Sequence, residues 1–470
     1  MTELVFGTDG WRGIIGREFT FENLARAVQA YAHYIKRNGN LKVVVGFDTR
    51  FNAHLFARHA AEVLAANGLE VLLTQSYLPS PALSFAVKHF QAGGGLMLTA
   101  SHNSPAYLGL KLKGPYGGTA TQDIYEEATK SLTNLRKEDI ARFESAKHSI
   151  RSFNIKTSYF DALKGLVNLE TLTRLDGDIV HEAMGGASTA WLSDFFTYVG
   201  IKKRIYDFHP RPDPMFYGQN PEPTAPNLQA VIAYMKNKSD GLALTTDGDG
   251  DRIGAVLPGG KVFNAHQIFA VLLKASAQKG IDGQVVKTFT VSRIIERLAG
   301  NLNYGVTETP VGFKYIVNEM LQKRVAVGGE ESGGIAVAKH IPERDGLANS
   351  LLLLEAEAVL GKRLTNIFSD IEKDVDWAHA YSRRDIQVKD KQAKKAVMQS
   401  LTTPPTTFAN RRVISVEGLD GLKLNLENNA WLAFRPSGTE PVLRIYCEAA
   451  TDKEVASILN EAELFTKTVA

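Results

Sequence analysis

One order of elements occurs three times in the first two thirds of this 470-residue chain. Short aliphatic runs typical of buried strands alternate with amphipathic runs typical of helices. Each series closes on a predicted strand, at 96–99, 241–245 and 325–327, that leads into a polar loop. Such alternation indicates α/β units with largely parallel sheets. Ligands bind beyond the carboxyl ends of strands in such sheets, so all three loops lie where a site is expected.

The last part of the chain has a different pattern. Predicted strands at 413–416, 431–434 and 443–447 precede a predicted helix at 454–465. We therefore predict an α+β domain that starts near residue 375. Six prolines fall within 210–226, but a helix and a strand of the same unit follow them. This segment is therefore predicted to be a surface loop and not a linker.

Composition excludes several classes of protein. Lys and Arg number 54 and Asp and Glu 51, so a net charge of +3 argues against nucleic acid as the main partner. The single cysteine, Cys447, permits neither an internal disulfide nor a Cys-rich zinc site. No apolar run approaches the roughly 20 residues that span a bilayer, so no membrane association is predicted. The first residues lack the pattern of a signal peptide, and a cytoplasmic location is the expectation.

The clearest chemical signal is the acidic run of Asp247, Asp249 and Asp251, followed by Arg252. Carboxylates at alternate positions of an extended loop can face one point, and they repel one another unless a cation neutralises them. Oxygen ligands suit Mg²⁺ or Ca²⁺. An EF-hand needs Gly at loop position six and Glu at twelve, where this chain has Arg252 and Pro258, so that alternative fails. A solvated acidic turn is the alternative that remains.

Ser101, in the run Thr-Ala-Ser-His-Asn, follows another predicted strand. A serine at a strand end can act as a nucleophile, although the glycines of a lipase-type elbow are missing. Taken alone, this motif more often indicates a capping or turn serine. In the third loop, Glu330 and Ser332 lie among glycines and can hydrogen-bond sugar hydroxyls, and a surface turn is again the alternative.

A fourth polar segment lies near the end of the chain. It places two arginines, two hydroxyls and a glycine amide within ten residues: Arg435, Ser437, Gly438, Thr439 and Arg444. These groups can form a phosphate cradle. The nucleotide-type Gly-x-x-x-x-Gly-Lys-Ser/Thr loop is absent from the sequence. Together the four loops supply a nucleophile, a metal site, a hydroxyl reader and a phosphate clamp, which indicates metal-assisted phosphoryl transfer involving a sugar phosphate.

With these motifs in this order, the whole chain resembles the α-D-phosphohexomutases, which include phosphoglucomutase, phosphomannomutase and phosphoglucosamine mutase. The opening segment 6–13, Phe-Gly-Thr-Asp-Gly-Trp-Arg-Gly, also matches the family pattern and contains Arg12. The resemblance implies three similar α/β domains with mixed sheets and a smaller C-terminal α+β domain around a central cleft. We place these domains at 1–155 (phosphoserine), 156–259 (metal), 260–374 (sugar) and 375–470 (phosphate).

The resemblance also implies a mechanism and the residues that perform it. Ser101 would carry a phosphoryl group, and an oxygen of that group would join the three aspartates around Mg²⁺. Arg252, Lys111 and Arg12 would complete the catalytic set. Ligand contacts would come from the sugar-loop and phosphate-loop residues above and from two further ones, Lys314 and His340. The substrate would be a small-molecule hexose phosphate, and glucose 1,6-bisphosphate would be both the activator and the reaction intermediate. The protein would be a monomer or a small homo-oligomer.

Four positions bear on how this chain compares with the usual family pattern. Ser104 replaces a Pro and Leu108 an Asn in the loop that carries Ser101. Gly334 stands where many phosphomannomutase-like members have His, and Glu331 stands where phosphoglucosamine mutases usually have Gln. On the residues at 331 and 334, we rank glucose first, mannose second and glucosamine third as the expected sugar. A phosphatase that transfers the group to water, and a sensor without catalysis, are the alternatives of other classes.

Overall fold

The computed structural model of the chain describes residues 4–7, 9–133, 135–144, 149–403, 405–437 and 442–469. These residues form four β-sheets that follow one another along the chain. Three sheets combine parallel and antiparallel strands and pack with helices, whereas the fourth is antiparallel. The predicted fold class is therefore confirmed: three α/β domains and a smaller C-terminal α+β domain.

The first domain contains a seven-stranded sheet. Its strands are β1 (Trp11–Ile14), β2 (Lys42–Phe47), β3 (Glu70–Thr74), β4 (Gly94–Leu98), β5 (Tyr107–Gly114), β6 (Gly118–Thr119) and β7 (Ile150–Phe153). Its helices are α1 (Phe21–Asn38), α2 (Ala53–Ala66), α3 (Ser80–His89) and α4 (Gln122–Thr133). The strand order is β1-β5-β4-β2-β3-β7, with β6 beside β5. Alternate residues of β2 enter different hydrophobic clusters, so both faces of this sheet are covered.

The second domain contains a five-stranded sheet in the order β12-β11-β10-β8-β9, whose strands are β8 (Ile179–Glu182), β9 (Ile205–Asp207), β10 (Leu242–Thr246), β11 (Ile253–Leu257) and β12 (Lys261–Phe263). Its helices are α5 (Lys156–Lys164), α6 (Leu169–Leu172), α7 (Trp191–Tyr198) and α8 (Gln229–Lys236). Strand β12 lies just beyond the predicted boundary after residue 259 and pairs with β11. The domain limits themselves stay a prediction.

The third domain contains a four-stranded sheet in the order β14-β13-β15-β16, whose strands are β13 (Gln284–Thr288), β14 (Gly305–Thr309), β15 (Val325–Gly329) and β16 (Ile335–Val337). Its helices are α9 (Ala265–Gln278), α10 (Arg293–Asn301), α11 (Phe313–Gln322), α12 (Gly346–Leu360) and α13 (Leu364–Asp374). Helix α12 begins where the Asp345 carboxylate accepts from the N–H groups of Leu347 and Ala348, which is an ordinary N-cap.

The fourth domain contains a six-stranded antiparallel sheet in the order β17-β22-β21-β20-β19-β18, whose strands are β17 (Ala380–Gln387), β18 (Thr407–Phe408), β19 (Arg411–Glu417), β20 (Leu422–Leu426), β21 (Trp431–Pro436) and β22 (Val442–Ala449). Its helices are α14 (Lys391–Ser400) and α15 (Asp452–Val469). Its hydrophobic core is separate from a larger core that runs through the first three domains. Among the described residues, no helix has the length and apolarity needed to cross a bilayer.

The three α/β domains share one local arrangement around their polar loops. Strands β4, β10 and β15 each pair in parallel on one side. On the other side each pairs with the next strand of the chain in antiparallel fashion, to give the hairpins β4–β5, β10–β11 and β15–β16. The serine, aspartate and glutamate loops are therefore equivalent hairpin connections, and each begins at the carboxyl end of a buried strand.

A buried carboxylate, Glu448 on β22, joins the third and fourth domains. Its side chain is fully excluded from solvent. Its two oxygens contact five polar groups of both domains: Ser292 Oγ, the Arg293 N–H at 3.0 Å, Trp377 Nε1 at 3.0 Å, His379 Nδ1 at 2.9 Å and Trp431 Nε1 at 2.7 Å. Burial works against ionisation, but the contacts with His379 and Ser292 hold the pKa of Glu448 well below its usual range.

Replacing Glu448 by Ala should lower the free energy of unfolding by about 3–5 kcal/mol, because several buried donors would lose their acceptor. Urea denaturation followed by tryptophan fluorescence measures this, since Trp377 and Trp431 both contact the carboxylate. Glu454→Gln is the matched control, because it breaks a partly exposed pair with Arg411 and should change stability by less than about 1 kcal/mol. Equal effects of the two substitutions would contradict this role for Glu448.

Candidate active site

Ser101 lies at the start of the β4–β5 loop and is almost completely buried. Its hydroxyl donates a 2.7 Å hydrogen bond to Asp247 Oδ2 in the second domain. Its backbone is in the left-handed region, with φ of 51°. A non-glycine residue pays about 1 kcal/mol or more for this conformation, and such strain is characteristic of functional sites. The structure thus brings the predicted nucleophile against the predicted metal loop.

The metal loop presents three fully buried aspartates: Asp247, Asp249 and Asp251. One carboxylate oxygen from each lies within 4.8 Å of the others. Asp249 Oδ1 and Asp251 Oδ1 are buried and have no hydrogen-bond donor. Three converging carboxylates with unused oxygens match the ligand preference of Mg²⁺. The residues present therefore fit the predicted cation.

The serine loop and the metal loop touch through bare backbone at Gly248. A β-carbon at this position would lie 2.5 Å from the carbonyl oxygen of Ser101 and 2.9 Å from Pro221 Cγ. Any side chain would therefore separate the nucleophile from the aspartates. This close approach explains the first glycine of the Asp-Gly-Asp-Gly-Asp sequence.

Two cations balance the acidic cluster. Lys111 Nζ, from β5, lies 2.8 Å from Asp249 Oδ2, 2.7 Å from Asp251 Oδ2 and 3.1 Å from the Asp9 carboxylate. Arg344 pairs with Asp251 at 2.8 Å and with Asp9 at 2.7 Å. Burial works against the charged form of Lys111, but Asp249 and Asp251 raise its pKa well above the usual range. Lys111 is therefore held as an ammonium ion in contact with both aspartates.

The two predicted catalytic arginines contact the serine loop and the metal loop. Arg12 donates a 2.5 Å hydrogen bond from Nη1 to Asn103 Oδ1. Arg252 Nε lies 3.9 Å from Asp247 Oδ2, and its Nη1 lies 3.5 Å from Glu222 Oε1. Burial together with Arg252 and Arg12 lowers the pKa of His102 well below its usual range. His102 is therefore a neutral ring, with Nδ1 3.5 Å from Ser101 Oγ.

In the sugar loop, Glu330 is buried and its carboxylate lies 3.4 Å from Arg344 Nη1. Burial raises the pKa of Glu330 to about 7, although Arg344 works in the opposite direction. Ser332 is half-buried in the same loop. A β-carbon at Gly334 would lie 2.3 Å from Arg344 Cδ, so a side chain there is incompatible with this position of Arg344.

The raised pKa of Glu330 predicts a pH-dependent stability. The unfolded glutamate loses its proton near pH 4.5 and the folded one near 7, so the folded state retains the proton longer. The contribution of Glu330 to stability should therefore fall as pH rises from about 4.5 to 7, by a total on the order of 3 kcal/mol. The urea midpoint of the parent chain, measured relative to that of Glu330→Gln, should fall across this range. Identical slopes of the two chains would contradict the burial argument.

Lys314 and His340, the two other predicted ligand contacts, lie in different surroundings. Lys314 lies in the first turn of helix α11 and is mostly buried. Burial lowers the pKa of Lys314, while the negative charge of Asp9 raises it. His340 Nε2 lies 2.7 Å from Asp345 Oδ2, and the Tyr159 hydroxyl donates to the same oxygen at 2.7 Å. The contacts of His340 thus hold the cap of α12, and its role in ligand binding stays a prediction.

The phosphate loop connects β21 and β22, where Arg435 and Arg444 are cross-strand neighbours. Arg435 Nε donates to Asp420 Oδ2 at 2.8 Å, and this carboxylate also accepts from the Val311 N–H at 2.9 Å. The Ser437 carbonyl accepts a 2.7 Å hydrogen bond from Lys394 Nζ. The predicted contacts Gly438 and Thr439 lie outside the described residues. The predicted cradle is therefore joined to the segment that precedes Lys314.

Some residues that the sequence did not indicate also belong to this cleft. Arg344 connects the metal loop, the sugar loop and Asp9 of the opening segment. Glu222, from the proline-rich loop, lies 3.5 Å from Arg252 and 3.7 Å from Arg383 of the fourth domain. The residues next to Arg344 and Glu222 in the sequence form no motif that indicates a shared site. The only available signal for Glu222 was an unusual density of prolines.

Models of one protein family match the chain in four consecutive parts. The description "Phosphoglucomutase/phosphomannomutase, alpha/beta/alpha domain" I, II and III matches residues 3–139, 157–260 and 264–374, and the C-terminal domain of that family matches 386–464. A crystal structure described as a putative phosphomannomutase from Thermus thermophilus is 40% identical, with a TM-score of 0.88, and 99% of each chain is covered.

Curated relatives agree with these matches. A protein from Thermococcus kodakarensis named phosphoglucomutase/phosphomannomutase is 27% identical, with 97% of this chain and 96% of the relative covered. A phosphoglucomutase from Staphylococcus saprophyticus is 26% identical, with 94% and 90% covered. The fold, its cleft and these matches define a sugar-phosphate mutase, that is, an isomerase. The chain belongs to the phosphoglucomutase/phosphomannomutase family of the α-D-phosphohexomutase superfamily.

Proposed function

We propose that this mutase interconverts hexose 1-phosphates and hexose 6-phosphates, with glucose favoured, through phosphoserine 101 and a hexose 1,6-bisphosphate. The observation that carries the proposal is the 2.7 Å hydrogen bond from Ser101 Oγ to Asp247. This bond joins the only serine of the cleft with left-handed backbone, among the described residues, to a carboxylate cluster with unused oxygens. A nucleophile and a cation site in contact are what phosphoryl transfer needs.

Transfer begins with the phosphoryl group on Ser101 Oγ. The free 6-hydroxyl of a hexose 1-phosphate attacks phosphorus and loses its proton, the bond from phosphorus to Oγ breaks, and a proton ends on Ser101 Oγ. The Lys111 ammonium, which lies among the aspartates, assists this proton transfer, and the Arg252 guanidinium stabilises the developing charge. Mg²⁺ bound by Asp247, Asp249, Asp251 and a phosphoserine oxygen would neutralise charge on the group in transfer.

The hexose 1,6-bisphosphate then reverses its orientation, so that its other phosphate returns to Ser101 and the 6-phosphate product leaves. Such a site must hold either end of the sugar. Glu330 and Ser332 are the proposed readers of ring hydroxyls, and Lys314, His340 and the residues of the phosphate loop are the proposed contacts for the distal phosphate. Because the fourth domain has its own core, its closure over the ligand could exclude water from the phosphoserine.

The preference for glucose has one structural support. Gly334 leaves room for Arg344 beside Glu330, and a larger residue such as the His of many phosphomannomutase-like members would collide with that arginine. The names of the relatives include phosphoglucomutase, phosphomannomutase and probable phosphoglucosamine mutase. They therefore support the class of reaction and leave the sugar to experiment. The cytoplasmic location, the oligomeric state and the domain limits stay predictions.

A coupled assay tests the proposed function. Purified protein with Mg²⁺ and a trace of glucose 1,6-bisphosphate is given glucose 1-phosphate, and glucose 6-phosphate and free phosphate are measured together. We expect glucose 6-phosphate without free phosphate, and a higher kcat/KM than with mannose or glucosamine 1-phosphate. A higher value for either competitor would contradict the sugar preference, and release of free phosphate alone would indicate a phosphatase.

A further inference from the structure

A buried arginine outside the sequence motifs binds the backbone of the serine loop. Arg50 follows β2 and has only 2% of its surface exposed. Its guanidinium donates to four carbonyl oxygens of this one loop: Ser101 at 2.7 Å, Asn103 at 2.6 Å, Ser104 at 2.7 Å and Tyr107 at 2.9 Å. A single planar fork therefore fixes both ends of the loop.

The Arg50 guanidinium also contacts a carboxylate and an aromatic ring. Arg50 Nε lies 3.2 Å from Asp48 Oδ2, and both side chains are fully buried. The guanidinium carbon also lies 4.7 Å above the ring of Phe216, in the proline-rich loop of the second domain. Stacking and ion pairing together leave the fork little freedom to turn.

Asp48 extends this support to the backbone N–H of the nucleophile. Thr99 Oγ1 donates to Asp48 Oδ2 at 2.6 Å and accepts from the Ser101 N–H at 2.8 Å. The N–H of Ser101 is thus held through Thr99, and its carbonyl is held by Arg50. These are the two groups that fix the peptide planes on either side of the left-handed Ser101.

We propose that Arg50 is a positioning residue that holds the strained Ser101 in line with the metal loop, through its four bonds to carbonyls of the serine loop. The proposal rests on the proposed function, in which Ser101 Oγ carries the phosphoryl group. A lysine keeps the charge opposite Asp48 but offers one nitrogen in place of the two that bind the loop. A displacement of about 1 Å at a reacting atom can lower a rate about 100-fold.

The test is Arg50→Lys, compared with Thr49→Val. Thr49 Oγ1 donates to the Gly185 carbonyl of the second domain at 3.0 Å, so the control loses a contact between domains and leaves the serine loop untouched. For Arg50→Lys we expect kcat to fall about 100-fold while the Kd of glucose 6-phosphate stays within about threefold. Hydrogen exchange should accelerate in 100–107 alone. Thr49→Val should retain parental kcat and exchange.

Unchanged kcat and exchange in Arg50→Lys would overturn the proposal, as would equal losses in both variants. If Arg50→Lys does not fold, Thr99→Val replaces it, because it removes the hydroxyl that holds the Ser101 N–H. Faster exchange confined to the serine loop, with lower kcat, is then expected, and parental behaviour would overturn the proposal. If the parental protein has no mutase activity, the proposed function fails. The exchange data still decide whether Arg50 orders the loop.

Discussion

Replacing Ser101 by alanine should reduce mutase turnover by at least about 10⁴-fold, because no other group in the described part of the cleft is placed to carry the phosphoryl group between the two sugar positions. Binding of glucose 6-phosphate should persist, since the hydroxyl contacts Asp247 and no proposed sugar contact. The fold should also persist, because the loss of one hydrogen bond changes stability by only about 1 kcal/mol. Calorimetric binding and steady-state kinetics measure the two effects.

Ser104→Ala is the matched control for this experiment. Ser104 lies in the same loop, and only its backbone carbonyl takes part in the contacts with Arg50. Its replacement should leave turnover within about threefold of the parent, as for most surface changes. Turnover of Ser101→Ala near the parental rate would refute the nucleophile, and loss of ligand binding in that variant would point to a disrupted cleft.

Replacing Asp249 by asparagine should weaken Mg²⁺ binding about 100-fold and lower turnover at limiting metal, because the site loses one of three negative charges. The substitution preserves size, and Lys111 keeps its pairs with Asp251 and Asp9. The effect should therefore concern the cation and not the fold. Titration calorimetry with Mg²⁺ measures it without reference to activity, and a thermal melt checks the fold.

Asp213→Asn provides the comparison for the metal experiment. Asp213 accepts from the N–H groups of Met215 and Tyr217 in the proline-rich loop, apart from the aspartate cluster. Its replacement should leave the Kd of Mg²⁺ unchanged. An unchanged Kd in Asp249→Asn, or an equal loss in both variants, would show that the cluster of three aspartates is not the cation site.

The sequence predicted the repeated strands and helices because each has a regular hydrophobic period. It did not reveal that the strand after each polar loop turns back to form a hairpin. Strands β5 and β11 are buried along most of their length, and a uniformly buried strand carries no alternation that shows its direction.

The candidate site was predictable where chemistry is concentrated in a short motif. Ser101, Asp247 and Glu330 lie in short polar segments whose composition indicates a nucleophile, a metal site and a sugar contact. Arg344 and Arg50 act alone, and their partners come from distant parts of the chain. Only the folded structure shows that such a residue is buried among carboxylates or carbonyls, because one arginine in a sequence of ordinary charge carries no signal.

The most direct measurement of the central claim follows one phosphoryl group. Protein carrying radiolabelled phosphate on Ser101 is mixed rapidly with excess glucose 1-phosphate, and the products are separated over a single turnover. Our account predicts that the label leaves the serine for the sugar, first as glucose 1,6-bisphosphate and then as glucose 6-phosphate. Label that stays on the protein while product forms, or that appears as inorganic phosphate, would contradict it.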